Sequence, residues 1–161
     1  MHQSIPNPID LLLSFGSMTK GQIEAAGRAI YEDTYVGRVR TAHDGERVYF
    51  YSNRFEHAFH GSDSATSGAK KEGINERRVE RIHWIGELIE GRIPGSLCLL
   101  VNDQDGNRPA RRLYVYRAEH YIVWLEPRIK EGEGWWFSSA YIPFGYQIKK
   151  YEKNAVVIAR F

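Results

Sequence analysis

From Leu97 onward the chain is a succession of short strand-like runs joined by turns, and this pattern constrains the fold more than any other stretch. The runs are Leu97 to Asn102, Arg111 to Arg117, Tyr121 to Glu126, Trp135 to Ile142, Tyr146 to Lys150 and Ala155 to Arg160. Turn residues separate them at Asp103-Gln104-Asp105-Gly106-Asn107, Ala118-Glu119, Gly132 to Gly134, Pro143-Phe144-Gly145 and Lys153-Asn154. Connections this short force neighbouring strands to pair antiparallel.

Helical signals precede this meander. Ile9 to Phe15 and Gly21 to Tyr31 read as two short helices, the second with Thr19 as its cap. Val36 to Thr41 and Arg47 to Ser52 read as a hairpin turning at His43-Asp44-Gly45-Glu46. Asn53 with Glu56 resembles a capping box. A helix starting there sets Phe55 and Phe59 on one stripe and Arg54, His57 and His60 on the opposite side. Gly61 to Gly73 is small, polar and carries Lys70-Lys71, the composition of a solvated connector or of a lysine-bearing flap over a polyanion. Asn75 to Glu90 reads as the main helix. Its core stripe is Val79, Ile82, Ile85 and Ile89, and its second stripe is Arg77, Arg81, Trp84 and Leu88.

Helices followed by a meander define an α+β fold, with N-terminal helices packed on a four- to six-stranded antiparallel sheet. At 161 residues the chain is expected to be one domain, with a helical part over residues 1–35 and an α+β core over 36–161.

Charge narrows the functional classes. Lys and Arg number 22 against 20 Asp and Glu, so any preference for nucleic acid must come from local clustering. The single cysteine, Cys98, lies in an apolar run, which excludes a disulfide framework and disfavours a thiol nucleophile. No apolar run reaches transmembrane length and no signal peptide is apparent, so the expectation is a cytoplasmic site of action without a membrane partner. Delivery by a larger assembly would leave no such trace.

The candidate chemistry lies in residues far apart in sequence. Ser139 and Tyr141 fall on one face of the aromatic strand Trp135 to Ile142. With Arg54, His57 and His60 they form a set sufficient to cut RNA without a metal. RNA supplies its own 2′-hydroxyl nucleophile, imidazoles suit both proton transfers, and a guanidinium grips the crowded phosphate. Tyr141 and Ser139 would donate to the phosphate or orient an imidazole. Lys70, Lys71, Arg77, Arg81, Trp84 and Arg112 are the candidate RNA-binding residues, supplying cations and a stacking ring. Against this stands the plain reading that His57 and His60 are surface residues of an amphipathic helix, and that Arg stems cover apolar surface.

Neither a cofactor nor a metal is expected. His57-Ala-Phe-His60 supplies only two ligands, with no carboxylate or Cys cluster to complete them. No phosphate-cradling glycine loop, nucleophile elbow, or zinc or kinase signature is present.

The element order around Arg47-Val48-Tyr49-Phe50-Tyr51-Ser52, Arg81-Ile82-His83-Trp84-Ile85, Tyr121-Ile122-Val123-Trp124-Leu125 and Phe137-Ser138-Ser139-Ala140-Tyr141 resembles the phage-associated and toxin nucleases of the barnase–EndoU–colicin–RelE superfamily. The resemblance runs from Arg47 to Ile142. It implies a nuclease-like core, with His57 or His60 matching the family's catalytic His and Ser139 with Tyr141 its late-strand hydroxyls. The chain has Ser where Thr is commoner in that motif. The function so implied is a metal-independent endoribonuclease, a hydrolase acting as a bacterial toxin or phage-defence effector, with RNA as substrate and a cognate antitoxin or immunity protein as partner. The alternative is a non-catalytic RNA- or protein-binding module of immunity or adaptor type. A transferase with an Arg/His/Tyr nucleotide pocket is a third class.

Overall fold

Strands β1 (Arg40–Thr41), β2 (Arg47–Tyr49), β3 (Leu97–Val101), β4 (Arg111–Tyr116), β5 (Tyr121–Pro127), β6 (Trp135–Tyr141) and β7 (Ala155–Arg160) form one sheet in the order β1-β2-β6-β5-β4-β3-β7. The structure is a computed structural model describing residues 7–61, 73–130 and 132–161. Five helices accompany the sheet: α1 (Lys20–Thr34), α2 (Arg54–Phe59), α3 (Glu76–Glu80), α4 (Ile82–Ile89) and α5 (Gln147–Lys153). The fold is α+β. The seven strands exceed the four to six expected, and the sheet is not wholly antiparallel. β2 runs parallel to β6, pairing Val48 with Trp135 and Tyr49 with Trp136. Three helices and three strands intervene between those two strands, so the constraint that short turns impose does not apply to them.

Local chemistry explains where the elements begin and end. Thr19 caps α1 by accepting from Gln22 N, while Gln22 Oε1 accepts from Thr19 N, a complete capping box. Asn53 makes no such cap on α2, because its own backbone is already helical (φ −67°, ψ −9°). The long helix expected over Asn75 to Glu90 is two. Asn75 caps α3, and the chain leaves helical geometry at Arg81 (φ −99°, ψ 12°) before α4 resumes. Ile9 to Phe15 is reduced to a 3-10 turn at Pro8–Leu11, capped by Asn7. Tyr146 to Lys150, expected as a strand, belongs to α5. There Ile148 and Tyr151, three apart, turn inward together, a helical and not an alternating spacing. The polar loop expected from Gly61 to Gly73, with Lys70 and Lys71, falls almost wholly within 62–72, outside the described residues.

The sheet has two unlike faces. Cys98, Tyr114, Val123, Leu125, Phe137 and Ala140 point to the first, where α1 to α4 cover them. The fully buried Tyr31 ring sits at the centre of this core, within 6.3 Å of the Phe50, Phe55, Phe59 and Phe137 rings. Residues before Val36 therefore share the sheet's own core. α1 approaches α3 closely enough that a Cβ on Gly27 would lie 2.8 Å from Val79 Cγ1. Leu97, Leu99, Leu113, Val115, Ile122 and Trp124 point to the second face, which α5 covers through Ile148. Among the described residues no helix is long and apolar enough to cross a membrane.

Candidate functional site

A β-bulge in β6 creates the candidate site. Trp124 pairs with Ser139 and Leu125 with Phe137, leaving Ser138 as the extra residue. Phe137 and Ala140, three apart, consequently both face the first core. Trp136, Ser139 and Tyr141 share the second face instead, opposite Glu126, Trp124 and Ile122 of β5 respectively. Without the bulge Trp136 and Ser139 would point to opposite sides.

β2 borders only Trp135 and Trp136, and α2 packs beside the rest of β6. Arg54, its first residue, donates from Nη2 to the Ser138 carbonyl at 2.9 Å and lies 3.4 Å from Ser138 Oγ. The same guanidinium stands 5.0 Å from the centre of the Trp136 ring. Burial pulls its pKa below the ordinary arginine value, with Glu126 and Tyr31 opposing that pull. Arg54 Nε is buried without an acceptor among the described residues. At the other end of α2, Arg78 Nη1 donates to the carbonyls of Ala58 (3.2 Å) and His60 (3.0 Å), and its guanidinium lies 5.4 Å from the Tyr141 ring. α2 thus runs along β6 with a cation at each end, at Ser138 and at Tyr141. His57 is an exposed residue of α2, one turn beyond Arg54.

Hydroxyls and rings complete the face. Trp124 Nε1 donates to Tyr141 Oη at 3.2 Å, and the Tyr151 hydroxyl is 3.5 Å from it. Burial and that contact raise the Tyr151 pKa. Arg111 covers the Trp124 ring at 4.2 Å. The arrangement offers hydroxyl donors and guanidinium groups to an anion, and a carboxylate at Glu126.

The other sequence candidates lie elsewhere. His60 follows the last helical residue with extended backbone (φ −101°, ψ 155°), so the helical spacing from His57 does not hold. Its Nε2 is 2.8 Å from Glu24 Oε1 of α1, which ties it to that helix. Trp84 is a core residue and not a stacking surface: it is fully buried, with Nε1 donating to Pro8 O at 2.8 Å. Arg112 is likewise withdrawn from any ligand. It is 5% exposed on the first face, bound to Asp44, and 3.0 Å from Glu46 Oε2. Arg81 donates to Arg77 O at 2.8 Å and packs on the Trp84 ring, which uses it and the Arg77 carbonyl within α3 and α4. Lys70 and Lys71 lie outside the described residues.

Sequence reasoning missed Trp136 and Glu126 as neighbours of Arg54 and Arg78 as the neighbour of Tyr141, and its RNA-binding set named Arg112 and not Arg111. Glu126 had a signal: an acid closing the otherwise apolar run Tyr121 to Leu125. The bulge had none. Cys98 is buried, and burial pushes its thiol up to about 12, which leaves it inert as a nucleophile. Among the described residues no group of three His, Cys, Asp or Glu side chains could hold a metal ion. No protein-family model, curated protein or solved structure matches this chain.

Proposed function

We propose that this protein is a metal-independent endoribonuclease working on the second face of the sheet, beside α2. The observation that carries the reading is Arg54 laid across the β6 bulge, bound to Ser138 and stacked on Trp136, on the face that also bears Ser139, Tyr141 and Glu126.

A phosphodiester drawn to Arg54 would meet a charge already positioned for the oxygens that gain charge as the 2′-hydroxyl attacks. His57, one helical turn along, carries the side-chain type suited to passing protons to and from the sugar and the leaving 5′-oxygen. Glu126 can share that work as base. Tyr141, hydrogen-bonded by Trp124, offers an oriented hydroxyl to the phosphate. Of the two histidines the sequence left open, His57 is favoured because it lies within α2, one turn from Arg54, whereas His60 follows the helix with extended backbone. In this reading the protein acts as a toxin or defence effector on cellular RNA, with an inhibitor protein as its natural partner.

The test uses total RNA in EDTA with wild type, Arg54→Ala and His57→Ala. Wild type should cleave and leave cyclic phosphate ends. Arg54→Ala should be slower by about 10²–10³-fold and His57→Ala by about 10²–10⁴-fold. Three equal rates contradict the proposal and favour the non-catalytic binding module.

A further inference from the structure

We propose that the cavity at one end of the second face is a subsite for a single nucleotide of an RNA strand, adjoining the phosphate assigned to Arg54. The substrate class rests on the ribonuclease reading; the cavity and its chemistry do not.

The cavity measures about 580 Å³, within the range that takes a small organic ligand. Tyr51, Arg108, Arg111, Glu126, Lys130 and Trp136 line it, with Pro109, Pro127 and Ile129 supplying apolar wall. Two of these residues join it to the site described above. Trp136 carries Arg54 over its ring, and Glu126 is the residue opposite Trp136 across β5 and β6. A strand whose phosphate sits at Arg54 therefore has its neighbouring nucleotide at Trp136.

Each part of a nucleotide finds a chemical match. The indole of Trp136 and the phenol of Tyr51 are flat surfaces on which a base can stack, each such contact worth a substantial share of single-strand affinity. Tyr51 is held by Arg128, whose Nε donates to its hydroxyl at 3.2 Å while the guanidinium covers Tyr49 at 3.7 Å. Arg108 and Lys130 are exposed cations at the rim, placed for a phosphate. Arg111 is half-buried and already fixed on Trp124. Glu126 is the one carboxylate among the described lining residues, an acceptor for the exocyclic amine of a base or a ribose hydroxyl. An acidic protein segment would satisfy the cations but would leave the two rings and Glu126 without matching groups.

The test is calorimetric titration of the full chain with the four nucleoside monophosphates, ribose 5-phosphate, inorganic phosphate and a short poly-aspartate peptide. At least one nucleoside monophosphate should bind tenfold or more tightly than ribose 5-phosphate or inorganic phosphate. Arg108→Ala with Lys130→Ala should weaken it about tenfold, and Trp136→Ala should remove the preference for a base. The exposed pair serves as the deciding variant should Trp136→Ala fold poorly. Nucleotides binding no better than phosphate, no loss in the double variant, or poly-aspartate binding as tightly as the nucleotide would each overturn the subsite. Monophosphates cannot be cleaved, so the two ideas separate. Nucleotide binding without RNA cleavage leaves the subsite standing and removes the ribonuclease, and cleavage without nucleotide binding does the reverse.

Discussion

Arg111 and Arg112 are adjacent in sequence and occupy opposite faces of one sheet, and their surroundings differ in kind. Arg112 lies under the β1–β2 turn, bound to Asp44 and Glu46, with the Trp135 ring 4.6 Å from its guanidinium. Glu46 is in turn bound by Trp135 Nε1. The terminal nitrogens of that guanidinium find their acceptors in the protein, and the charge serves to fasten a hairpin. Arg111 is covered on one side by Trp124 and lines an open cavity on the other. A charge with its partners built in is structural, whereas a fixed charge beside an open, aromatic-walled space is available to a ligand. The same contrast separates Trp84, fully buried on the first face, from Trp136, which lines the cavity on the second.

Substitutions that remove packing on the first face should test the comparison hardest. Trp84→Ala should lower unfolding free energy by about 3–5 kcal/mol, the cost of emptying a large buried aromatic site, read by denaturant melts. Arg112→Ala strands Asp44 and Glu46 without their cation and should cost about 3 kcal/mol. A shift as small as that of a surface residue would place Arg112 among the available charges after all.

Asp44 gives the contrast a pH signature. The Arg112 hydrogen bond holds its carboxyl below the usual value, with burial opposing. A depressed folded pKa means its contribution is present above the unfolded value of about 4 and is lost as pH falls through the folded one. Asp44→Asn should therefore lower the Tm at pH 7 by less than Arg112→Ala does. The gap from wild type should close in acid, as pH falls through the depressed folded value. A gap that persists there would mean that Asp44 acts through packing and not through charge.

On the second face the smallest stability effects should accompany functional ones. Arg111→Ala should cost only about 0.5–1 kcal/mol, the worth of its contact with the Trp124 ring. RNA affinity should nevertheless fall, and the slope of log affinity against log salt should flatten by about 0.7 for the lost phosphate contact.

Much of the fold was legible because local chemistry decided it. Ala155 to Arg160 is a strand over the bounds expected after the turn at Lys153-Asn154, and Thr19 caps α1 as its position suggested. What was hidden depended on distant partners. Alternation says that Arg111 and Arg112 face opposite ways, yet only the turn at Asp44 and Glu46, over sixty residues earlier, decides which one is buried. Tyr146 to Lys150 alternates like a strand, but the second face needed cover, and a helix delivers Ile148 and Tyr151 to it together. The Ser138 bulge carries no local signal, since Ser138 and Ser139 are the same residue type. The grouping of Ser139 with Tyr141 was readable from period two; the addition of Trp136 to that face was not.

The four tryptophans offer the most direct test of the central claim, that the second face and not the first receives RNA. Their indole N–H resonances can be followed by NMR while a 2′-O-methyl oligoribonucleotide, which cannot be cleaved, is added. Trp136 should shift with the titration while Trp84 and Trp135 stay in place. Shifts confined to Trp84 and Trp135, or no shift at Trp136 at saturating RNA, would contradict the account.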